Sequence, residues 1–378
     1  MHGRPDARLI IDSTRGSADL FYLTRFRAPD PVIWIESGGA TILVLSDLEI
    51  DRGRQTAKVD RCLSLSSLAR IARKRLGRAP GAGDVAAAAL AGMGASSVEV
   101  PATFPSAHYL ALVAAGLDVR VATGPFVPRR RRKTRAEVAE MRRCQRAGEV
   151  GIALAVRMIA GAGPRGGRLF LDGAPLTSER VKSAVSLALL EKGWQAAGLI
   201  VSGSREQTAV PHDTGSGPLR ADQPIILDFF PRSLSSGYHG DETRTVVRGR
   251  PSARVAAMMA AVLEAERIGS RMLRPGARGA EIHARVVEFL ASEGFPTSRG
   301  DRHPAGFFHG LGHGLGLEIH EPPSLSHPDT VLEAGDVVTV EPGLYYPGIG
   351  GVRHENLYHV VKGGSEPLSA LDVPFVLS

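Results

Sequence analysis

A ten-residue pattern occurs twice in this chain and requires that its second half be built from two like units. LRADQPIILD, ending at Asp228, aligns without gaps on LEAGDVVTVE, ending at Glu341. Each copy runs from a leucine through a turn into a short apolar strand and closes on a carboxylate. The surroundings repeat as well: helical periodicity over about 135–160 and 177–192 precedes the first copy, and over about 253–273 and 280–292 the second. Each copy is followed by a second acid near a further strand pattern, Asp241 in GYHGDETRTVV and Glu355 in GGVRHENLYHV. One aspartate at a strand end is ordinarily a turn former. A strand that ends twice in an acid points to a rigidly carried site.

Between the copies lies FFHGLGHGLGLEIHE, residues 307–321. His309 and His313 stand four apart, the spacing that puts two imidazoles on one face of a helix in H-E-x-x-H zinc proteases. A helix is excluded here, because each glycine costs about 1 kcal/mol relative to alanine and no glutamate follows His309. The stretch is therefore extended or looped, and its glycines allow close backbone approach to a ligand.

Four carboxylates, Asp228, Asp241, Glu341 and Glu355, together with the His313 imidazole, make an oxygen-rich set with one nitrogen. Clustered acids raise one another's pKa and do not all ionise without cations. Such a set suits Mn²⁺, Co²⁺ or Zn²⁺. Four acids exceed the needs of one ion, so the expectation is two divalent ions sharing bridging carboxylates.

The order of these residues carries a resemblance. Asp228, then D-E-T-R-T from Asp241, H-G-L-G-H-G-L-G-L-E-I-H-E from His309 to Glu321, E-P-G-L-Y from Glu341 and G-V-R-H-E through Glu355 together resemble the pita-bread metallopeptidases: aminopeptidase P, prolidase and methionine aminopeptidase. The segment before residue 131, with ADLFYLT and VLSDLE, looks like the N-terminal domain of the creatinase and prolidase branch. The resemblance implies an α+β catalytic domain with a curved antiparallel sheet, a dinuclear metallohydrolase cleaving Xaa-Pro bonds, and a homodimer. It implies that Asp228 chelates one metal, Asp241 and Glu355 bridge, and His313 and Glu341 hold the second, with Glu341 also shuttling the proton of the attacking water. His212, in AVPHD, matches a histidine beside the substrate carbonyl, and His320 one that steadies the tetrahedral intermediate. Thr243 matches a partner of the bridging acid, and Arg353 a positive group near the carboxylates and substrate. His309 either lines the substrate pocket or satisfies a core hydrogen bond, and Tyr345 and Tyr346 are pocket walls or packing. His303, His327 and His354 are expected to support or lie outside the site.

The chain also departs from the family pattern. Phe229-Phe230-Pro231 replaces the usual glycine-bearing turn after Asp228, and the interval to Asp241 is longer, so the hairpin near the substrate entrance has a different tip. His354 stands where an apolar residue is common. Two other readings stay open: a relative acting on a non-peptide small metabolite, since one fold hosts many chemistries, and a non-catalytic binding module.

The remaining features set bounds. The 378 residues, 43% hydrophobic and 22% charged, are enough for two domains with real cores. The division is expected near Arg129–Lys133 (RRRRK): residues 1–130 form an α/β domain, in which Leu9–Ile11, Val32–Ile35 and Thr41–Leu45 are strands and Ser67–Leu76 and Asp84–Gly92 helices, and residues 131–378 form the catalytic domain. The net charge of +7 and the basic run invite a nucleic-acid reading. However, the run lacks the interleaved aromatics that stack bases and leads straight into the capping box Thr134-x-x-Glu137, so it is read as a solvated interdomain linker. There is no membrane span and no secretory signal pattern. Two cysteines, Cys62 and Cys144, form no disulfide framework, which favours a reducing cytoplasm.

Overall fold

The computed structural model describes residues 4–299, 304–369 and 371–378; His303 lies outside the described residues. The chain resolves into two compact units, one ending at Arg130 and one beginning at Arg131. The first holds a six-stranded mixed sheet in the order Arg61–Ser64, Ala40–Leu45, Val32–Ser37, Ala7–Asp12, Ser97–Val100, Asp118–Val121. Its central strands are apolar on both faces. One face packs on the alanine-rich helix Ala82–Gly92 through Leu9, Ile11, Ile33 and Ile35, and the other on Leu20, Phe26 and Phe126 through Ile10, Trp34 and Leu43.

The second unit is the duplicated one. Thr134 and Glu137 form the expected capping box, which starts the helix Arg135–Ala160; Ser178–Glu191 follows it, and Ala253–Arg271 and Gly279–Ser292 form the corresponding pair in the second half. Each helix pair has its own core. Ile152, Ile159, Val181 and Val185 pack on Ile225, Leu227, Phe229 and Val246. In the second half, Val262, Ile282, Val286 and Leu290 pack on Leu311, Val338, Val340 and Val360. The sheets match these cores: Trp194–Ser202, Pro224–Ser233, Glu242–Arg248 and Val376–Leu377 form one, and Glu321–Ser324, His313–Gly314, Val337–Val340, Asn356–Val361 and Gly364–Pro367 the other. Apart from the parallel pairing of Val376–Leu377, the strands are antiparallel.

One expectation is corrected. The basic run is not uniformly solvated: Lys133 is buried, and Arg131 donates to both carboxylate oxygens of Asp336 at 2.9 Å. Acids from distant positions neutralise these cations, a pairing that the run alone does not reveal.

Candidate metal centre

Each half delivers its acids in the same way. Asp228 lies within the strand Pro224–Ser233, facing Thr243 across the ladder, and Asp241 stands immediately before the return strand Glu242–Arg248. In the second half Glu341 follows Val337–Val340, and Glu355 immediately precedes Asn356–Val361. The Glu355 backbone N–H donates to the Thr243 carbonyl at 3.1 Å, which joins the two halves where the acids meet. The glycine-rich stretch is not helical, as expected. Within it His313–Gly314 forms a short strand that pairs with Glu321–Ser324, and Gly312 lets it lie against Thr339, where an added Cβ would come within 2.0 Å of a carbonyl oxygen.

The side chains converge on a cavity of about 290 Å³ lined by all four acids and by His212, His309, His313, His320 and Arg353. Asp241, His313 and Glu355 present ligand atoms all within 4.8 Å of one another. His313 Nε2 is 3.6 Å from Asp241 Oδ2 and 3.4 Å from Glu341 Oε1. Its Nδ1 is 3.1 Å from the Gly314 carbonyl, which fixes the N–H there and leaves the Nε2 lone pair facing the acids. Thr243 donates from Oγ1 to Glu355 at 2.7 Å. Gln145 clamps Asp241 by its backbone, accepting from its N–H at 3.0 Å and donating to its carbonyl at 2.9 Å.

Arg353 is buried and spreads its fork over four partners, the Pro211 carbonyl at 3.4 Å among them. It donates to Asp228 Oδ2 at 2.6 Å, to the Tyr345 hydroxyl at 2.8 Å and to Thr243 Oγ1 at 3.2 Å. His309 Nε2 reaches the same hydroxyl at 3.1 Å. Tyr345 is thus both buried packing and a bridge behind the site, and His309 both lines the cavity and has a core partner. The sequence alone leaves the role of Tyr345 open and gives no direct sign of Gln145. A polar residue on the buried face of an amphipathic helix was the only available signal for Gln145. His354 is half-buried beside Asn356, and His327 is exposed.

Electrostatics shows what the cluster lacks. Burial, and then the charges of Glu355, Asp228 and Glu341, push the Asp241 carboxyl well above the ordinary range. Glu355 rises for the same reason, burial first and then Glu341 and Asp228. Burial takes Glu341 to about 8. The imidazole of His313 is pulled down to about 4 by burial and by His320, so it stays neutral and free to ligate. Oδ1 of Asp228 is buried with no hydrogen-bond partner among the described residues. An unpartnered carboxylate oxygen, three acids raised by crowding and a neutral imidazole aimed at them fit a divalent cation, which supplies the missing charge and accepts these lone pairs.

The replaced turn is also defined. Phe229-Phe230-Pro231 continues the strand rather than turning, and the tip falls at residues 234–236. Phe230, two residues beyond Asp228, lines the same cavity. Its ring lies over Gly198, where an added Cβ would be 1.8 Å from Cε2.

The family model for metallopeptidase family M24 matches residues 139–362. The chain belongs to metallopeptidase family M24. Over 173 residues, 45% of this M24 chain, it is 36% identical to an uncharacterised peptidase, YqhT, of Bacillus subtilis and to an Xaa-Pro dipeptidase of Pyrococcus furiosus, in each case over 46% of the relative. It thus spans about half the length of the curated relatives it matches. Among solved structures it resembles an Xaa-Pro dipeptidase of Bacillus anthracis (TM-score 0.82, 23% identity, 99% of this chain and 95% of that one) and an X-Pro aminopeptidase of Thermotoga maritima (0.80, 22%, 98% and 97%). At these identities the likeness is one of fold, and the M24 chain has the α+β pita-bread fold.

Proposed function

We propose that this M24 chain hydrolyses Xaa-Pro peptide bonds as a dinuclear metalloenzyme, with Asp228, Asp241, His313, Glu341 and Glu355 holding the ions. The observation that carries the reading is the convergence of four acids and one neutral imidazole on one cavity, with an Asp228 oxygen left unpartnered. The relatives named Xaa-Pro dipeptidase support the bond class. They do not favour the non-peptide metabolite or the non-catalytic module.

Divalent ions bound there, Mn²⁺, Co²⁺ or Zn²⁺, supply Lewis acidity and a lowered pKa for water. The chain's own residues do the rest. Glu341 accepts the proton of the attacking water and passes it to the leaving nitrogen, which in an Xaa-Pro bond is a tertiary amide with no N–H of its own. His212 and His320, both at the solvent side of the cavity, donate hydrogen bonds to charge developing on the carbonyl oxygen. Arg353 and Thr243 hold Asp228 and Glu355 in place, and His309 contributes to the substrate wall. No helix among the described residues is long and apolar enough to cross a membrane. Cys62 and Cys144 are free thiols, which supports the reducing cytoplasm. The homodimer belongs to the same reading and is checked by sedimentation.

The test is a peptide panel with and without proline in the second position, run on protein stripped by chelator and on protein resupplied with Mn²⁺ or Co²⁺. Hydrolysis restricted to Xaa-Pro peptides and to metal-loaded protein is expected. Full activity in chelator, or no preference for proline, overturns the reading.

A further inference from the structure

Lys133 and Glu321 form a buried ion pair, 2.7 Å apart, with side chains only 1% and 5% exposed. Two charges withdrawn from water this completely lose hydration that only close pairing and fixed geometry can offset, so the positions they fix deserve to be traced. The Lys133 backbone is held in turn, since its N–H donates to the Gly335 carbonyl at 2.8 Å. The Glu321 carboxylate packs against Gly316, where an added Cβ would lie 2.6 Å from Oε1. The Gly316 carbonyl accepts the His239 backbone N–H at 2.8 Å, and the Gly316 N–H donates to Glu318 at 3.0 Å. Residues 316–321 are therefore a turn closed by the Glu321 carboxylate and fastened by Lys133. His320 sits at its end, immediately before Glu321. Its ring stands edge-on to that of His313, centroids 4.2 Å apart and planes at 84°.

We infer that Lys133 is a positioning residue for His320: its ion pair with Glu321 fixes the 316–321 turn so that the His320 imidazole is held over His313 and aimed into the cavity. The inference rests on the reading of His320 as a donor to substrate. Lys133 is not among the residues that line the cavity, so its effect passes through the turn. A methionine in its place keeps the length and apolar stem but not the charge. An arginine keeps the charge and restores part of the contact.

The experiment is a double-mutant cycle of Lys133→Met and His320→Ala, with Lys133→Arg alongside and Glu321→Gln as a second entry to the same contact should Lys133→Met fail to fold. Steady-state kinetics on an Xaa-Pro peptide, metal content and amide hydrogen exchange over 316–321 are measured on each preparation. Lys133→Met is expected to lower kcat about tenfold with little change in KM, to leave metal content unchanged, to speed exchange in 316–321, and to cost nothing further in the His320→Ala background. Lys133→Arg recovers part of the rate. Equal losses in both backgrounds, or exchange unchanged in 316–321, overturn the inference while leaving the role of His320 intact. A His320→Ala protein as fast as the native one overturns the role of His320 and the inference with it. If native protein cleaves no Xaa-Pro peptide, the functional reading fails separately, and the exchange measurement still decides whether the pair holds the turn.

Discussion

Arg353 donates from Nη2 to Oδ2 of Asp228 at 2.6 Å, and in doing so it commits one oxygen of that carboxylate and leaves Oδ1 as the one available to a ligand. Three groups act on the arginine besides its burial. Burial alone would ease its deprotonation, but Tyr345, Asp228 and Glu341 more than offset this and hold its pKa well above the ordinary value. It is a permanent cation placed behind the acids.

Arg353→Met is expected to leave Asp228 and the Tyr345 hydroxyl without their donor. Breaking one side of a buried pair costs about 3–5 kcal/mol, which in a domain of this size lowers Tm by roughly 10 °C. Calorimetry at fixed metal concentration checks this, and Arg353→Lys should fall between the two, since the ammonium cannot reproduce the fork.

Asp241→Asn preserves shape and removes the charge on which the proposed ions depend. The backbone clamp from Gln145 does not involve the carboxylate, so the fold should persist with unchanged circular dichroism. Elemental analysis should show at least one ion fewer per chain and the peptide assay almost no turnover. Full metal occupancy at native rate would show that Asp241 does not bridge.

His212→Ala and His320→Ala should each lower kcat and kcat/KM together by a hundredfold to a thousandfold, about 2.7–4 kcal/mol, the loss measured for single donors of this kind in other enzymes. Metal content should not change. A drop in bound metal would instead make the histidine a ligand or a ligand's support.

Phe230→Ala should widen the cavity beside Asp228. Its ring fills the space left open by Gly198, and Ile200 continues the same wall. Discrimination among Xaa-Pro substrates by side-chain size should relax by roughly tenfold. A panel of Gly-Pro, Leu-Pro and Phe-Pro peptides reports it, and Gly198→Val, which forces the ring aside, should move the preference as well.

Where the fold rests on pattern, the sequence was sufficient. The repeat located both acid-bearing hairpins, the capping box began its helix at Thr134, and glycine cost ruled out a helix through His309 and His313. Phe229-Phe230-Pro231, read in the sequence as altering the turn, continues the strand instead, which puts Phe230 on the face of Asp228. What could not be read is pairing over long separations. Lys133 belongs to a run of five cations and looks solvated until Glu321 is brought to it. Gln145 looks like one more polar residue in a helix, and only the fold turns it toward Asp241. The hydroxyl of Tyr345 does its bracing through Arg353 and His309, a geometry that the aromatic pair at 345 and 346 does not announce.

The two halves of the second unit each pack around a core of their own, and the acids stand on either side of the line where they meet. Polar contacts join them there, such as Glu355 N–H to the Thr243 carbonyl and Thr245 Oγ1 to the Arg353 carbonyl at 2.8 Å. An ion held by acids from both sides would be a clasp across the seam, its affinity adding to the cohesion of the halves. Damage to either core, however far from the carboxylates, is felt as a looser clasp.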